Sequence, residues 1–498
     1  MDVKYEGGMK LIKKILTIVI IISFFSATLF PVITAEDSHI KENYSFYRNS
    51  IKINLREKCI NTCYHARKVK TFYPSLKLNP IFTLRFLPAI ISLNRIINPL
   101  NKPPLELSDE DLEALAYMTD CRVVGLGEAT HGTKEFFQLK HRIFKYLVEN
   151  HEFKIFAFEC DMGESYFIDN FVTTGNGDLD EIMKEKMHFW TWRTEEVKEL
   201  LLWMKEYNEN TSYENKIHFI GVDCQFLTFQ SEIILNYFNK TNVSLPEYFI
   251  QFLLEIEEIG QNLRDYYSEM TQEKKEEIDQ NVDILLKKFE DFRNELIFNS
   301  SEFEYQFVKQ IALNIKQVND FYYSWTHDYQ KNLRDLYMAE NTLWTSDLFG
   351  NNTKVALWAH NGHVNNYRLF GATGFHLKKE LKEKYQILGF AFSQGNFTAV
   401  KYENGTYYGL AIHHIDKEPK IGSINYIFHN AKYDNFIIRE SDIRIISFFN
   451  RYIRKPHYFI SIGAVFSSNY SYYLPIIFKK HFDVMIYWDT TMAAEQLK

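Results

Sequence analysis

Four short apolar runs, each followed by a polar residue, recur along the chain. They are Val123 to Leu126 before Glu128, Ile155 to Phe158 before Glu159, Ile217 to Val222 before Asp223, and Val355 to Trp358 before His360. No other feature restricts the fold as much. Runs this short, apolar throughout and separated by helical stretches, are the pattern of parallel strands covered on both faces. Between the first two, Phe136, Leu139, Ile143 and Leu147 fall on one helical face; between the second and third, Val197, Leu201 and Met204 do so. The pattern predicts an α/β fold with a mainly parallel sheet flanked by helices. Parallel strands all point the same way, so the polar residues that end them should converge on the sheet edge where open α/β folds bind ligands.

The rhythm breaks between Asp223 and Val355. Three amphipathic stripes occupy that interval: Phe249, Leu253, Ile256 and Leu263; Ile278, Val282, Leu285 and Phe289; Phe307, Ile311, Ile315 and Val318. They predict an inserted helical subdomain, about 245–341, covering the cleft, with Arg334 and Asp335 at its return to the sheet. The charged stretch Glu273 to Glu277 reads as its solvated face. Later apolar runs at Gln386 to Ser393, Tyr458 to Phe466 and Val484 to Trp488 are expected to complete the sheet. Upstream, Ser108 with Glu110 and Asp111 resembles the start of a helix through Met118.

The N-terminus reads as an address. Lys10, Lys13 and Lys14 precede an uncharged run from Ile15 to Phe30, and small residues end at Ala35, which predicts an export signal or, as the alternative, a retained membrane anchor. The expected organisation is therefore residues 1–35 as signal or anchor, 36–105 as a basic extension, and 106–498 as the main domain, placed outside the cytoplasm. A formal charge of -7 with dispersed cations argues against nucleic acid as a partner. Five cysteines, an odd number without a paired C-x-x-C pattern, exclude a dense disulfide framework or a zinc ribbon. Cys59 and Cys63 are near enough to pair, while Cys121, Cys160 and Cys224 adjoin apolar runs and are expected to be buried thiols.

The first run enters Gly125-Leu126-Gly127-Glu128-Ala129-Thr130-His131-Gly132. Glycines allow a sharp turn beside a ligand, and this one carries a carboxylate and an imidazole. With Glu159 from the next strand, Glu128 and His131 form a set suited to base catalysis on water: a neutral imidazole takes the proton, and a carboxylate fixes its tautomer. No Gly-x-Ser-x-Gly elbow is present. Trp358-Ala359-His360-Asn361-Gly362-His363 adds two histidines able to orient a substrate, donate to an oxyanion, or bind a divalent metal with the glutamates. Asp223 is either part of this set or a helix cap. Trp190, Trp192 and Trp358 suit either sugar stacking or a core.

These residues carry a resemblance. Gly127 to Gly132 with Glu135-Phe136, Phe158-Glu159, Trp192-Arg193-Thr194-Glu195-Glu196, Gly221-Val222-Asp223, Arg334-Asp335 with Met338 to Asn341, Trp358 to Asn361 and the tail Phe482 to Ala494 together resemble the erythromycin esterase family. The resemblance implies an α/β core, a helical subdomain and a cleft between them. It implies that His131 activates water to open an ester or lactone, assisted by Glu128 and Glu159, with no cofactor. His360, His363, Asp223, Arg193, Lys140 and Arg334 are then the expected substrate-binding residues. Lys140 is a departure, because the macrolide-resistance enzymes carry an arginine in that helix and an ammonium lacks the planar fork of a guanidinium. The expected partner is thus a small ester, lactone or glycan-linked substrate of unspecified kind. A metal-dependent hydrolase using the same His/Glu cleft and a noncatalytic exported glycan-binding protein are the alternatives.

Overall fold

The computed structural model of the protein describes residues 85–327, 332–350, 353–469 and 471–497. The expected export segment and the Cys59 and Cys63 pair lie outside the described residues. In chain order the strands are β1 (Asn98–Pro99), β2 (Val123–Leu126), β3 (Phe153–Asp161), β4 (His218–Asp223), β5 (Lys354–Trp358), β6 (Tyr385–Ala391), β7 (Gln394–Glu403), β8 (Thr406–Ile415), β9 (Asn435–Arg439), β10 (His457–Ile460), β11 (Val465–Phe466), β12 (Tyr473–Ile476), β13 (Val484–Trp488) and β14 (Thr490–Thr491).

The main sheet has the order β1-β9-β13-β6-β2-β5-β3-β4. From β13 to β4 every neighbouring pair is parallel, and β9 and β1 close one edge antiparallel. The fold is thus α/β, as the apolar runs predict. Successive side chains on a strand point to opposite faces. Val123, Ile155, Ala157, Val355 and Leu357 accordingly enter one buried cluster, and Val124, Leu126, Phe156, Phe158 and Trp358 enter the other. Both faces are covered, so no polar alternation was available to the sequence. The helix Lys134–His151 covers the second face, and Phe136, Leu139, Ile143 and Leu147 are all fully buried there.

The insert is helical. Its described helices include Glu247–Gln261, Leu263–Glu269, Gln272–Asp291, Glu302–His327 and Leu333–Asp347. Ile278, Val282, Leu285 and Phe289 line one buried face, and Phe307, Ile311, Ile315 and Val318 another. These side chains share one apolar cluster with Ile155, Ile220, Val222 and Leu357 of the sheet, so the insert is a layer on the sheet. Leu263 does not continue the first stripe; it opens a new helix after Asn262.

Three other expectations are corrected. Tyr458 to Phe466 does not complete the main sheet: β10 pairs with β12 in a two-stranded ribbon, and β11 joins β7, β8 and β14 in a side sheet. Its apolar residues are satisfied there, and composition does not say which sheet a strand joins. The helix expected from Ser108 to Met118 is a 3-10 stretch at Glu113–Asp120, and Ser108 and Asp111 bond each other instead of opening an α-helix. Finally, residues 85–105 belong to the folded body, not to an extension. Ala89, Ile90 and Leu93 of the helix Leu87–Leu93 are buried in the main cluster, and β1 pairs with β9. Seven helical residues and two strand residues are too few to show periodicity.

Candidate active site

The turn after β2 is wedged by Asn361. A Cβ on Gly127 would come within 2.1 Å of Asn361 Oδ1, while the Asn361 amide holds both the nitrogen and the carbonyl of Phe390 on the neighbouring β6. Only glycine fits there, and the wedge directs the next residue, Glu128, inward with no exposed surface. Oε1 of Glu128 faces His131 Nδ1 at 2.7 Å, and Oε2 accepts from Lys140 Nζ at 2.6 Å and Trp358 Nε1 at 2.9 Å. Burial pushes the Glu128 carboxyl up, but Lys140 and His131 outweigh it and hold the group below its usual range. Glu128 is therefore ionised. In the neutral ring a carboxylate at Nδ1 selects the tautomer with the proton there, which leaves Nε2 of His131 as the acceptor.

His360 packs beside it, with ring centroids 5.0 Å apart and planes at 42°. Its Nδ1 accepts from Gly362 N–H at 3.0 Å, capping the one-turn helix Asn361–Val364, so Nε2 carries the proton and donates to the Ile462 carbonyl at 3.2 Å. Burial, reinforced by His131, pushes its pKa down to about 3, so this ring stays neutral.

Glu159 joins this group to a second one. Its Oε2 accepts from His360 N–H at 2.8 Å, and its Oε1 accepts from Arg334 Nη2 at 2.9 Å and lies 3.2 Å from His363 Nε2. Arg334 also grips Asp223 in a fork, Nε to Oδ1 at 2.9 Å and Nη2 to Oδ2 at 2.6 Å. His363 Nδ1 meets Asp335 at 2.8 Å, and Thr373 anchors Asp335 through its own N–H at 2.7 Å. Burial opposes charge on His363, but Asp335 and Glu159 outweigh it and push the ring up to about 10. His363 is then an imidazolium donating to both carboxylates. Its 3.2 Å approach to Arg334 Nη1 is a contact of two cations, tolerated because three carboxylates surround them.

The structure thus brings Glu128, His131, Glu159, Asp223, Arg334, His360 and His363 into one network at the C-terminal edge of the sheet, with Lys140 behind Glu128. Asp223 does not cap the next helix, which begins at Gln230; it serves Arg334 and the Cys224 N–H. Lys140 has no exposed surface and lies over the Trp358 ring, so its charge is committed to Glu128 instead of to a substrate. Arg193 is half-buried, and among the described residues its side chain makes no hydrogen bond or ion pair with this network. Trp192 and Trp358 are core; the indole N–H groups hold the Glu159 carbonyl and the Glu128 carboxylate. The Ile462 carbonyl is the partner that sequence reasoning missed, while Asp335, expected with Arg334 at the cleft wall, is found there holding His363. Asp335 stands beside Arg334, but nothing in the spacing announces its bond to His363.

Among the described residues no group of three or more His, Cys, Asp or Glu side chains is arranged to hold a metal ion. The histidine nitrogens face partners already: His131 Nδ1 a carboxylate, His360 an amide and a carbonyl, His363 two carboxylates. These bonds occupy the nitrogens of His360 and His363, so those two rings are not placed to ligate a cation. A small cavity of about 20 Å³ reaches Arg334, Asp335 and His363 past Asn332, Phe370 and Ala372. A larger hollow of about 850 Å³, lined by Glu152, Lys154 and Tyr207, lies at the opposite ends of the strands and touches none of these groups.

The His363 charge predicts a pH dependence of stability. Its pKa rises from 6.5 to about 10 on folding, so its contribution is complete below pH 6.5 and is lost as the pH rises through 10. Lys140, pushed down by burial to about 8, works in the opposite direction above that pH. Between pH 6.5 and 8 the unfolding free energy should fall by up to about 1.4 kcal/mol per pH unit. Urea midpoints across this window check it, and a His363→Asn protein with the same slope as wild type would overturn it.

Comparison with known proteins shows the family and the fold. The family model described as Erythromycin esterase matches residues 148–491. The erythromycin esterase type II of Escherichia coli is 27% identical over 333 residues, which is 61% of this chain and 77% of the relative. Two solved structures share the fold. A Bacillus cereus protein superposes with a TM-score of 0.71 at 24% identity, over 82% of this chain and 98% of its own. An erythromycin esterase mutant in its open conformation superposes with 0.58 at 16% identity, over 79% and 96%. The chain belongs to the erythromycin esterase family of hydrolases.

Proposed function

We propose that this hydrolase cleaves a carboxylic ester or lactone with water as the nucleophile and His131 as the general base. One observation carries the reading: His131 Nδ1 is held by the ionised Glu128, which leaves Nε2 to accept a proton. In the proposed reaction Nε2 takes a proton from water as its oxygen attacks the carbonyl carbon. The imidazolium, stabilised by Glu128, then returns that proton to the leaving alkoxide as the C–O bond breaks. Arg334 and His363, on the wall of the small cavity, are the cations proposed to face the developing oxyanion. Glu159 keeps both in place and fixes the His360 backbone. Lys140 is a positioning residue, because its ammonium keeps Glu128 ionised.

No step requires a Lewis acid. Hydrolysis of a panel of esters and lactones by the full chain, followed by acid release, tests the proposal. Turnover should survive dialysis against a chelator, and its loss with recovery on adding Zn²⁺ or Mn²⁺ would replace the histidine mechanism with metal chemistry. Export through residues 1–35 is proposed on the basic and apolar order of that segment. A mature protein from the producing cells that still begins at Met1 and stays in the cytoplasm would refute it.

A further inference from the structure

The chain from Ile443 to Phe482 contains no aspartate or glutamate, although the protein as a whole carries a formal charge of -7. It does contain Arg444, Arg451, Arg454 and Lys455, all exposed. In the same stretch Ile445 is 77% exposed, Ile446 83% and Phe448 56%. Three large apolar side chains this open within four residues are unusual on a folded surface, where apolar patches mark an interaction site.

The fold places the apolar and basic groups together. Helix Phe448–Ile453 buries Phe449, Tyr452 and Ile453 and turns Phe448 and Arg451 outward, with the guanidinium of Arg451 5.6 Å from the Phe448 ring centre. Tyr452 donates to the Gly422 carbonyl, which brings the exposed Ile421 and Lys420 alongside, and Lys420 lies over the exposed Tyr458 ring. The first described residues arrive at the same place. Phe86 packs edge-on against Tyr452 at 6.2 Å, and Arg85 is near enough to His457 to depress its pKa, though burial is the larger cause. Arg85 and Phe86 therefore lie beside this patch. In the sequence before them, Arg48 to Lys77 carries eight cations against the single Glu57.

We propose that this surface docks on an anionic phospholipid bilayer. Ile445, Ile446 and Phe448 enter the boundary between headgroups and acyl chains, and Arg444, Arg451, Arg454 and Lys455 contact the lipid phosphates. Apolar residues ringed by cations are what such a boundary recognises, since buried apolar area and attraction to anionic lipid add. The patch is separate from the His131 network and needs none of its residues, so the proposal stands independently of the ester chemistry.

Hydrogen exchange of the full chain, read on peptides spanning 440–456, tests it. With vesicles of equimolar phosphatidylglycerol and phosphatidylcholine, exchange in these peptides should slow; with phosphatidylcholine alone it should not change. The slowing should vanish in an Ile445→Ser, Ile446→Ser, Phe448→Ser protein. It should also vanish in an Arg444→Gln, Arg451→Gln, Arg454→Gln protein, whose affinity for the anionic vesicles through this face should fall roughly 100-fold. All of these side chains are exposed, so the variants should keep the wild-type circular dichroism. Unchanged exchange in protein that floats with the anionic vesicles would overturn the proposal, because attachment then occurs elsewhere. Slowing that needs no vesicles and grows with protein concentration would also overturn it and assign the face to a second copy of the chain.

Discussion

A His131→Ala protein will turn over its ester or lactone substrate about 10² to 10⁴ times more slowly than the wild type, the range expected when a positioned general base is removed. The loss should lie in kcat with KM little changed, because the proposed role is made in the transition state. The structure sharpens this expectation. Glu128 is fully buried and its two oxygens accept from His131, Lys140 and Trp358, so the imidazole is tied at Nδ1 in one orientation. Glu128→Gln should also lower kcat, since the amide no longer stabilises the imidazolium and Lys140 loses its counter-charge. Unchanged kcat in the His131→Ala protein would reject the mechanism. Equal losses of kcat and of folded protein would show that His131 is structural.

Removing Arg334 will destabilise the fold on the order of 3–5 kcal/mol, the cost of stranding a buried partner charge. Arg334 is 7% exposed and bonded to Asp223 and Glu159 at once. Without it Asp223 keeps only the Cys224 and Gln225 donors, and Glu159 keeps His363 and the His360 N–H. Urea unfolding of Arg334→Ala measures the loss. The double variant Arg334→Ala, Asp223→Ala should lose less than the two single losses combined, because the second change removes the stranded charge. Arg334→Lys should not restore the wild-type stability, since a single ammonium cannot form the fork that spans Asp223 and Glu159. Additive losses would show that the two residues do not act as a pair.

What the sequence determined follows from periodicity. Val123–Leu126, Val484–Trp488 and the other buried strands declared themselves because every residue was apolar over a length too short for a helix. The helices of the insert declared themselves through stripes at helical spacing. The convergence of Glu128, Glu159, Asp223 and His360 on one edge then followed from strand direction alone. These are local patterns, repeated over enough residues to stand above chance.

Only the tertiary structure decided the pairing within the site. Sequence spacing brought Glu128 and His131 together but could not show that Lys140, two turns into the next helix, reaches back to the same carboxylate. Nor could it show that Asp335 holds His363, that Asp223 belongs to Arg334, or that the Ile462 carbonyl accepts a hydrogen bond from His360. These partners are separated by up to 111 residues and meet through sheet order, which puts β5 between β2 and β3. Strand order is decided by the packing of the whole sheet, and a strand carries no mark of its neighbour. The same reason explains why β10 and β11 left the main sheet, and why residues 85–105 joined the body. The place of each was decided by the apolar surface that remained to be covered.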